Sequence, residues 1–303
     1  MVKKYTCIRV AQDAETPVRR STGVFTYRFA YARAADTKTA GDKGQDYVTF
    51  GRREGSFIFA ICDGVSLSFY GELAARFLGD ALLDWLSSAA VDRASEQEKL
   101  RQSLQAYLSS LTGPASSIID KYPIPKDVTG ILRDVLEEKR KLGSETTFVC
   151  GRIDLPGRVH KNGKIVLAWQ GDSRLRLWQQ ALEKTSLLGE AFFTAHRWST
   201  LRGPVGGGPH VAISELSQSW RITRLLVYTD GLADLDGWRG IPDDRQLQQL
   251  IDDAGRKATS DDIAVLDVSW RLPADGHRAG EPPVLPGFLA DCVAKIKQFL
   301  RRA

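Results

Sequence analysis

Phe57-Ile58-Phe59-Ala60-Ile61-Cys62-Asp63-Gly64 is a run of six apolar residues that ends in a carboxylate and a glycine. The run is preceded by the polar residues Arg52-Arg53-Glu54-Gly55. A short apolar run between turn-forming residues is typical of a strand that is buried on both faces. We therefore expect Asp63 to emerge at the rim of the hydrophobic core.

The same arrangement occurs twice more. Leu225-Leu226-Val227-Tyr228-Thr229-Asp230-Gly231 is a second strand-like run that ends in Asp-Gly. Ser260-Asp261-Asp262 directly precedes a third apolar run, Ile263-Ala264-Val265-Leu266. If the ends of these strands converge, their carboxylates repel one another unless a cation lies among them. The pattern therefore indicates a site for a hard metal ion.

Size and composition are those of a globular protein. The chain has 303 residues, of which 43% are hydrophobic and 26% charged. A chain of this length can bury a large core, and this composition does not favour disorder. The net charge is +5, from 42 basic and 37 acidic residues, and no basic run carries interleaved aromatic residues. We therefore expect no nucleic-acid partner.

The N-terminal residues and the cysteines indicate a cytoplasmic location. The chain begins Met1-Val2-Lys3-Lys4 and lacks the apolar stretch of a signal peptide. No later segment approaches the roughly 20 apolar residues of a membrane span. Four cysteines, with no Cys-x-x-Cys pair, are spaced far apart at positions 7, 62, 150 and 292. This spacing favours reduced, buried thiols over disulfides or a zinc site.

Hydrophobic periodicity predicts strands and helices in both halves of the chain. Strands are expected at 24–31, 45–50, 146–150, 165–169 and 175–178, and helices at 71–86, 95–111, 128–141 and, shorter, within 236–256. Asp46 would begin a strand, and residues 170–173 would form a turn. Residues 185–215 are rich in glycine and are expected to form an irregular, mobile surface flap.

The domain organisation follows from the same pattern. Residues 1–21 are interpreted as an N-terminal lead-in, residues 22–270 as one domain and residues 271–287 as a linker. Residues 288–303 are predicted to form an amphipathic C-terminal helix. Docking on its own domain is the simplest role for such a helix, and contact with a partner or a membrane is the alternative.

Six motifs, in order, resemble those of metal-dependent protein phosphatases of the PP2C type. Asp63-Gly64-Val65-Ser66-Leu67-Ser68-Phe69-Tyr70-Gly71-Glu72-Leu73-Ala74-Ala75 keeps the spacing of their D-G-x-G-G-H-x-x-G-E-x-A-S signature. The others are Gln45-Asp46 for N-Q-D, Ser144-Glu145-Thr146-Thr147 for S-G-T-T, Gly171-Asp172-Ser173-Arg174 for G-D-S-R, Thr229-Asp230-Gly231-Leu232-Ala233-Asp234 for S-D-G-x-x-D, and Asp261-Asp262-Ile263-Ala264-Val265 for D-N-I-T-V. Any one Asp-Gly pair is usually only a turn, whereas the ordered set is specific.

The resemblance implies an α+β fold, a four-layer α-β-β-α sandwich of two antiparallel sheets flanked by helices. It also implies two Mn²⁺ or Mg²⁺ ions in a cleft at one end of the sandwich. The catalytic, metal-binding residues would be Asp46, Asp63, Asp230 and Asp261, with the carbonyl of Gly64. Asp172 and Asp234 match positions that hold a third ion in some members of the family. Oxygen ligands of this kind suit hard divalent cations.

The sequence departs from the family pattern at three places. Gly41 stands where many members have a phosphate-binding Arg, and Gly44 stands in place of the usual Asn. Lys43 can supply a positive charge for phosphate, but as a point charge and not as a fork. Ser66-Leu67-Ser68 replaces G-G-H and removes a His that often acts as general acid, a role typically worth ~10²–10⁴-fold in rate. The resemblance is therefore to a divergent, bacterial-type branch.

Two functions remain open. The first is a serine/threonine protein phosphatase, a phosphoric monoester hydrolase that uses metal-activated water and opposes a cytosolic kinase. The second is a catalytically silent module that binds a phosphoprotein or a kinase, which the missing Arg and His favour. In either case Arg197 and Arg202 in the flap can meet a phosphorylated peptide, whereas His196 and His210 are interpreted as incidental.

Overall fold

The computed structural model describes residues 4–189, 192 and 195–272. In chain order the strands are β1 (Thr6–Arg9), β2 (Thr16–Ser21), β3 (Phe25–Ala32), β4 (Tyr47–Arg53), β5 (Ser56–Gly64), β6 (Glu145–Asp154), β7 (Lys164–Gln170), β8 (Arg174–Gln179), β9 (Leu182–Glu183), β10 (Arg197–Ser199), β11 (Gly203–Val205), β12 (His210–Glu215), β13 (Arg224–Tyr228) and β14 (Ile263–Trp270). The α-helices are α1 (Ala35–Ala40), α2 (Gly71–Ser87), α3 (Ala89–Arg93), α4 (Gln97–Ser110), α5 (Thr112–Lys121), α6 (Gly130–Leu142) and α7 (Asp244–Gly255).

The strands form two antiparallel sheets. The first has eight strands, six of them in the order β1-β4-β5-β6-β10-β11. β6 also pairs with β7, which pairs with β12. The second has six strands in the order β2-β3-β14-β13-β8-β9. The expected α+β sandwich of two antiparallel sheets is confirmed.

The core between the sheets comes from alternate residues of the strands. Phe57, Phe59 and Ile61 of β5 are fully buried there against Leu225 and Val227 of β13. The intervening residues of β5 face the other way, as the two-residue period of a strand requires. Because both faces of β5 are covered, its sequence is apolar throughout and does not alternate with polar residues.

Helices cover the outer face of each sheet. Leu78 and Leu82 of α2 pack with Leu104 of α4 on the first sheet. Leu247 and Ile251 of α7 pack on the second sheet. Helices α2, α4, α6 and α7 were expected from their periodicity. Helix α5 occupies the segment where Pro114 and other prolines predicted only a link, because Pro114 lies in the first turn, where its missing N–H costs nothing.

The N-terminal residues contribute to both sheets. β1 pairs with β4, and β2 pairs with β3. The segment interpreted as a lead-in therefore differs from the expectation, because its described part lies in the sandwich. Short strands with charged, exposed residues give little hydrophobic signal, which explains the difference. Cys7 of β1 is exposed and was expected to be buried, whereas Cys62 and Cys150 are buried.

The segment expected to be an irregular flap contains three strands. β10 and β11 pair with each other, and β10 extends the edge of β6. β12 pairs with β7 along its whole length. The prediction of an irregular segment is therefore wrong for these strands, two of which are only three residues long. Residues 273–303, with most of the predicted linker and the amphipathic helix, lie outside the described residues.

Candidate functional site

Asp46 and Asp63 lie opposite each other at one end of the first sheet. The register pairs Tyr47 of β4 with Cys62 of β5, so Asp46 and Asp63 occupy the next pair of positions. Cross-strand Cβ atoms at such positions are roughly 5 Å apart. Asp63 follows Phe59 and Ile61 in the alternation, so its carboxylate faces the space between the sheets. Asp63 emerges at the rim of the core, as the sequence predicts.

The second sheet brings Asp230 and Asp261 to the same place. Asp230 follows the end of β13, and Asp261 stands two residues before β14, its antiparallel neighbour. The Thr229 hydroxyl donates to Asp46 Oδ2 at 2.6 Å and accepts a hydrogen bond from the Ala264 N–H at 2.9 Å. Thr229 therefore links the end of the first sheet that carries Asp46 to the neighbouring end of the second sheet.

Burial and like charge raise the pKa of three of these carboxyls. The pKa values of Asp46 and Asp63 are well above the ordinary range, first because the groups are buried and then because neighbouring carboxylates repel. The pKa of Asp230 is raised for the same reasons, while the guanidinium of Arg174 opposes the shift. The carboxylates of Asp63, Asp230 and Asp261 are therefore close enough for their charges to repel one another.

Asp262 has a structural role that the sequence does not reveal. Its buried carboxylate accepts hydrogen bonds from the backbone N–H groups of Ala34 at 2.7 Å and Gln45 at 2.5 Å. It thereby fixes the loop that carries Asp46. In the motif resemblance Asp262 occupies the place of an Asn. The signal for its role is a second carboxylate directly beside Asp261, which a single sequence cannot separate from a second ligand.

Two close backbone approaches explain glycines of the motifs. A Cβ on Gly64 would lie 2.6 Å from the backbone carbon of Gly71, so the first turn of α2 packs directly on the residue after Asp63. A Cβ on Gly231 would lie 2.1 Å from the carbonyl oxygen of Asp262. Both distances are shorter than any contact that a real Cβ makes, so only glycine fits at these two positions. The close packing that glycine allows fixes the preceding residues, Asp63 and Asp230, at the end of the sandwich.

The two candidates for a third ion have different surroundings. Asp172 lies in the turn between β7 and β8, and its charge raises the pKa of both Asp63 and Asp230. Asp234 forms an ion pair with Lys257, with Nζ to Oδ2 at 2.7 Å. Both residues of this pair line a cavity of about 290 Å³ with Asp230 and Asp261. A lysine ammonium therefore already neutralises the Asp234 carboxylate.

Lys43 lies in a recess of about 240 Å³ that Arg9, Arg76 and Tyr47 also line. Tyr47 packs with the residues that face the helices, not with those between the sheets. The role of Lys43 as a phosphate ligand stays a prediction.

The loop that replaces G-G-H is held by its serines. Ser68 Oγ donates to the Val65 carbonyl at 2.7 Å and accepts from the Glu145 N–H at 3.0 Å. Leu67 between the serines is 82% exposed. Ser68, at the position of the family's His, therefore fixes the loop to β6. A serine hydroxyl does not ionise at neutral pH, so Ser68 cannot replace the His as a general acid.

The donors of the cluster suit a hard divalent cation in kind, because they are carboxylate oxygens. The raised pKa values of Asp46, Asp63 and Asp230 also indicate that these carboxyls are costly to ionise together without a cation. As the side chains lie, however, the described residues contain no group of three or more His, Cys, Asp or Glu side chains that is arranged to hold a metal ion. Asp46 instead accepts a hydrogen bond from the Thr229 hydroxyl, and Asp261 accepts one from the backbone N–H of Asp262 at 2.8 Å.

Solved structures of phosphatases share this fold. A bacterial serine phosphatase matches with a TM-score of 0.52 and 17% identity over 82% of this chain and 98% of its own. The serine/threonine phosphatase Stp1 from Staphylococcus aureus matches with a TM-score of 0.51 and 18% identity over 82% of this chain and 95% of its own. Serine-threonine phosphatase 2C from Toxoplasma gondii matches with a TM-score of 0.50 and 14% identity over 88% of this chain and 99% of its own.

The similarity is one of structure. No protein-family model matches the chain, and no curated protein sequence does either. The chain therefore has the fold of PP2C-type phosphatases, as the six motifs predict. Among the helices of the described ranges, none has the length and apolar character needed to cross a membrane.

Proposed function

We propose that this chain, which has the PP2C-type fold, is a metal-dependent phosphatase that hydrolyses phosphoserine and phosphothreonine in proteins. One observation carries the proposal: carboxylates from both sheets lie at one end of the sandwich, where the charges of Asp230 and Asp261 act on Asp63 and Thr229 links Asp46 to the second sheet. The phosphatases that share the fold support the class of reaction. A kinase that phosphorylates the same proteins would be the functional counterpart.

Asp46, Asp63, Asp230 and Asp261 would hold two Mn²⁺ or Mg²⁺ ions, together with the Gly64 carbonyl. Such ions, when bound, lower the pKa of water and neutralise charge on a phosphoryl group. The chain's own residues prepare the site for them. Thr229 fixes the Asp46 carboxylate, and Asp262 fixes the loop before it. The cluster extends from Asp46, which is buried, to Asp261, which is exposed to solvent. Asp172 would be available as a ligand of a third ion. The Asp234 carboxylate would first have to break its ion pair with Lys257.

The site lacks a histidine general acid at the motif position, so leaving groups that need a proton should react slowly. Aryl phosphates leave as weakly basic phenolates and depend less on such a proton. We therefore expect a higher kcat with an aryl phosphate than with a phosphothreonine peptide, and the serine hydroxyl of Ser68 does not compensate.

The direct test is hydrolysis after treatment with a chelator and addition of Mn²⁺ or Mg²⁺. An aryl phosphate and a phosphothreonine peptide should both be hydrolysed, and Asp63→Asn should reduce kcat by about 10³-fold or more, since it removes a carboxylate from the proposed ion site. Asp134→Asn, at an exposed carboxylate of α6, is the matched control and should be fully active. Folded protein that binds metal but turns over neither substrate would reject the proposal.

The second candidate is a silent module that binds a phosphoprotein. Two observations favour it: Ser68 is committed to the backbone, and Gly41 replaces a phosphate-binding Arg. Binding of a phosphothreonine peptide that does not respond to Mn²⁺, without release of phosphate, would support this candidate. Turnover that depends on the metal would exclude it.

A further inference from the structure

Glu145 holds two arginines beside the candidate site. Arg197 Nε donates to Glu145 Oε2, and Arg202 Nη2 donates to Oε1 at 2.6 Å. The Glu145 side chain is only 9% exposed. In the motif resemblance this position, the second of S-G-T-T, is a glycine. The ion pair is therefore a feature of this chain that the resemblance does not explain.

The arginine pair faces the same space as Asp63. In β6, Thr147 is paired with Asp63, and Glu145 is two residues away on the same face of the strand. Ser199 of β10 is paired with Glu145, and its neighbour in the alternation is Arg197. Two residues along a strand and one strand across amount to about 8 Å between the Cα atoms of Glu145 and Asp63. Glu145, which holds the arginine pair, thus lies about two peptide residues from Asp63.

The arginine pair keeps a positive charge and free donors. Two guanidinium groups against one carboxylate leave a net charge of +1. The Arg202 side chain is 56% exposed and that of Arg197 is 30% exposed. Within the described ranges, the Nε and Nη1 groups of Arg202 and the Nη2 group of Arg197 make no hydrogen bond. The buried Glu145 carboxylate therefore holds the two guanidinium groups side by side. Their remaining N–H groups can donate hydrogen bonds to a ligand.

We propose that Arg197 and Arg202 bind an anionic side chain, a carboxylate or a second phosphate, that neighbours the phosphorylated residue of the substrate. Paired arginines bind carboxylate and phosphate oxygens with directional, charge-assisted hydrogen bonds. Peptide residues are spaced by about 3.3 Å, so an anion one to three residues from the phosphoserine or phosphothreonine reaches the pair. The inference rests on the proposed phosphatase function and assigns it a substrate class.

The test compares three phosphothreonine peptides: one with neutral flanks, one with glutamates and one with a second phosphoserine. The wild-type protein should show a higher kcat/KM with the two anionic peptides, mainly through a lower KM. Arg202→Gln should reduce this preference about tenfold, the usual value of one lost charged hydrogen bond. Arg202→Lys should retain part of it. The two anionic peptides distinguish carboxylate from phosphate recognition.

Matched controls separate this role from a structural one. Arg20→Gln removes an arginine of β2 of similar exposure, 51%, that pairs with Asp244 of α7, and should leave the preference unchanged. A merely structural defect would lower kcat/KM alike for the neutral and the anionic peptides, whereas Arg202→Gln should lower the ratio of the anionic to the neutral value. If it loses activity equally on all substrates, or if only its melting temperature falls, the ion pair merely anchors β10 and the inference is wrong.

Binding measurements keep the two proposals distinguishable. If the wild-type protein hydrolyses no phosphate ester, the proposed function fails, but fluorescence anisotropy with the same labelled peptides still tests the arginine pair. Tighter binding of the anionic peptides that Arg202→Gln abolishes would support the pair. Equal affinity of the wild-type protein for all three peptides would overturn it.

Discussion

The Thr229 hydroxyl connects a carboxylate of the first sheet to the backbone of the second. It donates to Asp46 and accepts from the Ala264 N–H, and both groups are buried. A hydroxyl can do this because it carries a donor and acceptor lone pairs on one atom. Within the described ranges, the Asp46 carboxylate accepts a side-chain hydrogen bond only from Thr229. The charges of Asp63, Asp262 and Asp261 repel it, so the ionised carboxylate costs stability.

Asp63→Asn should therefore stabilise the metal-free protein. Burial and the charges of Asp230 and Asp261 raise the pKa of Asp63, so removal of its charge relieves repulsion. At pH 7.5 with chelator we expect the free energy of unfolding, measured with urea, to rise by about 1–2 kcal/mol. Asp134→Asn should change it by less than about 0.5 kcal/mol. A less stable Asp63→Asn protein would contradict this electrostatic interpretation.

Gly231→Ala should destabilise the protein, because its Cβ would collide with the Asp262 carbonyl oxygen at 2.1 Å. This oxygen belongs to the backbone and cannot rotate away, so we expect a loss of about 3 kcal/mol. Gly237, by contrast, has no neighbouring atom within 4 Å of the place that a Cβ would take, and Gly237→Ala serves as the matched control. Equal melting temperatures for the two alanine variants would show that the backbone around Gly231 and Asp262 shifts at little cost to accommodate the added Cβ.

The sequence is informative about some residues of the site and silent about others. Asp46, Asp63 and Asp230 are predicted because each stands at the end of a strong apolar run or in an ordered motif. Asp262 bonds two backbone N–H groups that are distant in sequence, and its position beside Asp261 does not distinguish this structural role from that of a second ligand. The partner of Asp234, Lys257, was missed for the same reason: their contact depends on how the helix after the motif folds back.

At the scale of elements, the first turn of α2 ties the helix layer to the site. Gly71 packs on Gly64, and the next residue, Glu72, is 8% exposed. Burial raises the pKa of Glu72 to about 7. An acidic residue at a helix N-terminus is normally stabilised by the helix dipole, so desolvation outweighs that effect here.

Glu72 should make stability fall as the pH rises from about 4.5 to about 7. Its folded-state pKa of about 7 exceeds its ordinary value of 4.5, so in this window the folded protein binds more protons than the unfolded chain. The total loss is about 3 kcal/mol. Glu72→Gln cannot titrate, so its unfolding free energy minus that of the wild type should increase by this amount between about pH 4.5 and 7.5. A constant difference across the range would contradict the shift.

Elements were predictable where their pattern is long. The β5 run and helix α2 are recovered to within a few residues because many buried positions share one period. β10 and β11 have three residues each and contain polar residues, glycine or proline, so no period can be recognised. Their pairing depends on the β6 edge, which is distant in sequence.

At the scale of the whole molecule, the fold could be predicted from the order of six motifs but not from periodicity alone. Periodicity gives strands and helices, whereas the pairing of β3 with β14 joins the two ends of the domain and leaves no local trace. The motif order supplies that information because it resembles a family with known topology. The divergence at Gly41, Gly44 and Glu145 lies outside what the resemblance can predict.

Metal binding to the folded protein should raise its melting temperature. If the ions bind only the native state, Mn²⁺ at 100 times its dissociation constant stabilises the protein by about 2.7 kcal/mol, which corresponds to roughly 5–10 °C for a domain of this size. A thermal scan with Mn²⁺ and with chelator measures the shift. Asp63→Asn should lose most of it, and an unchanged wild-type melting temperature would contradict the proposed ion site.

β1 and β2 occupy the outer edges of the two sheets although only six residues separate them. Each edge strand covers backbone donors and acceptors that would otherwise be open to another chain. A protease that removes residues up to 21 would therefore uncover β4 and β3 together. We expect the shortened protein to self-associate by strand addition at both exposed edges. In the full-length chain, β1 and β2 would prevent this polymerisation.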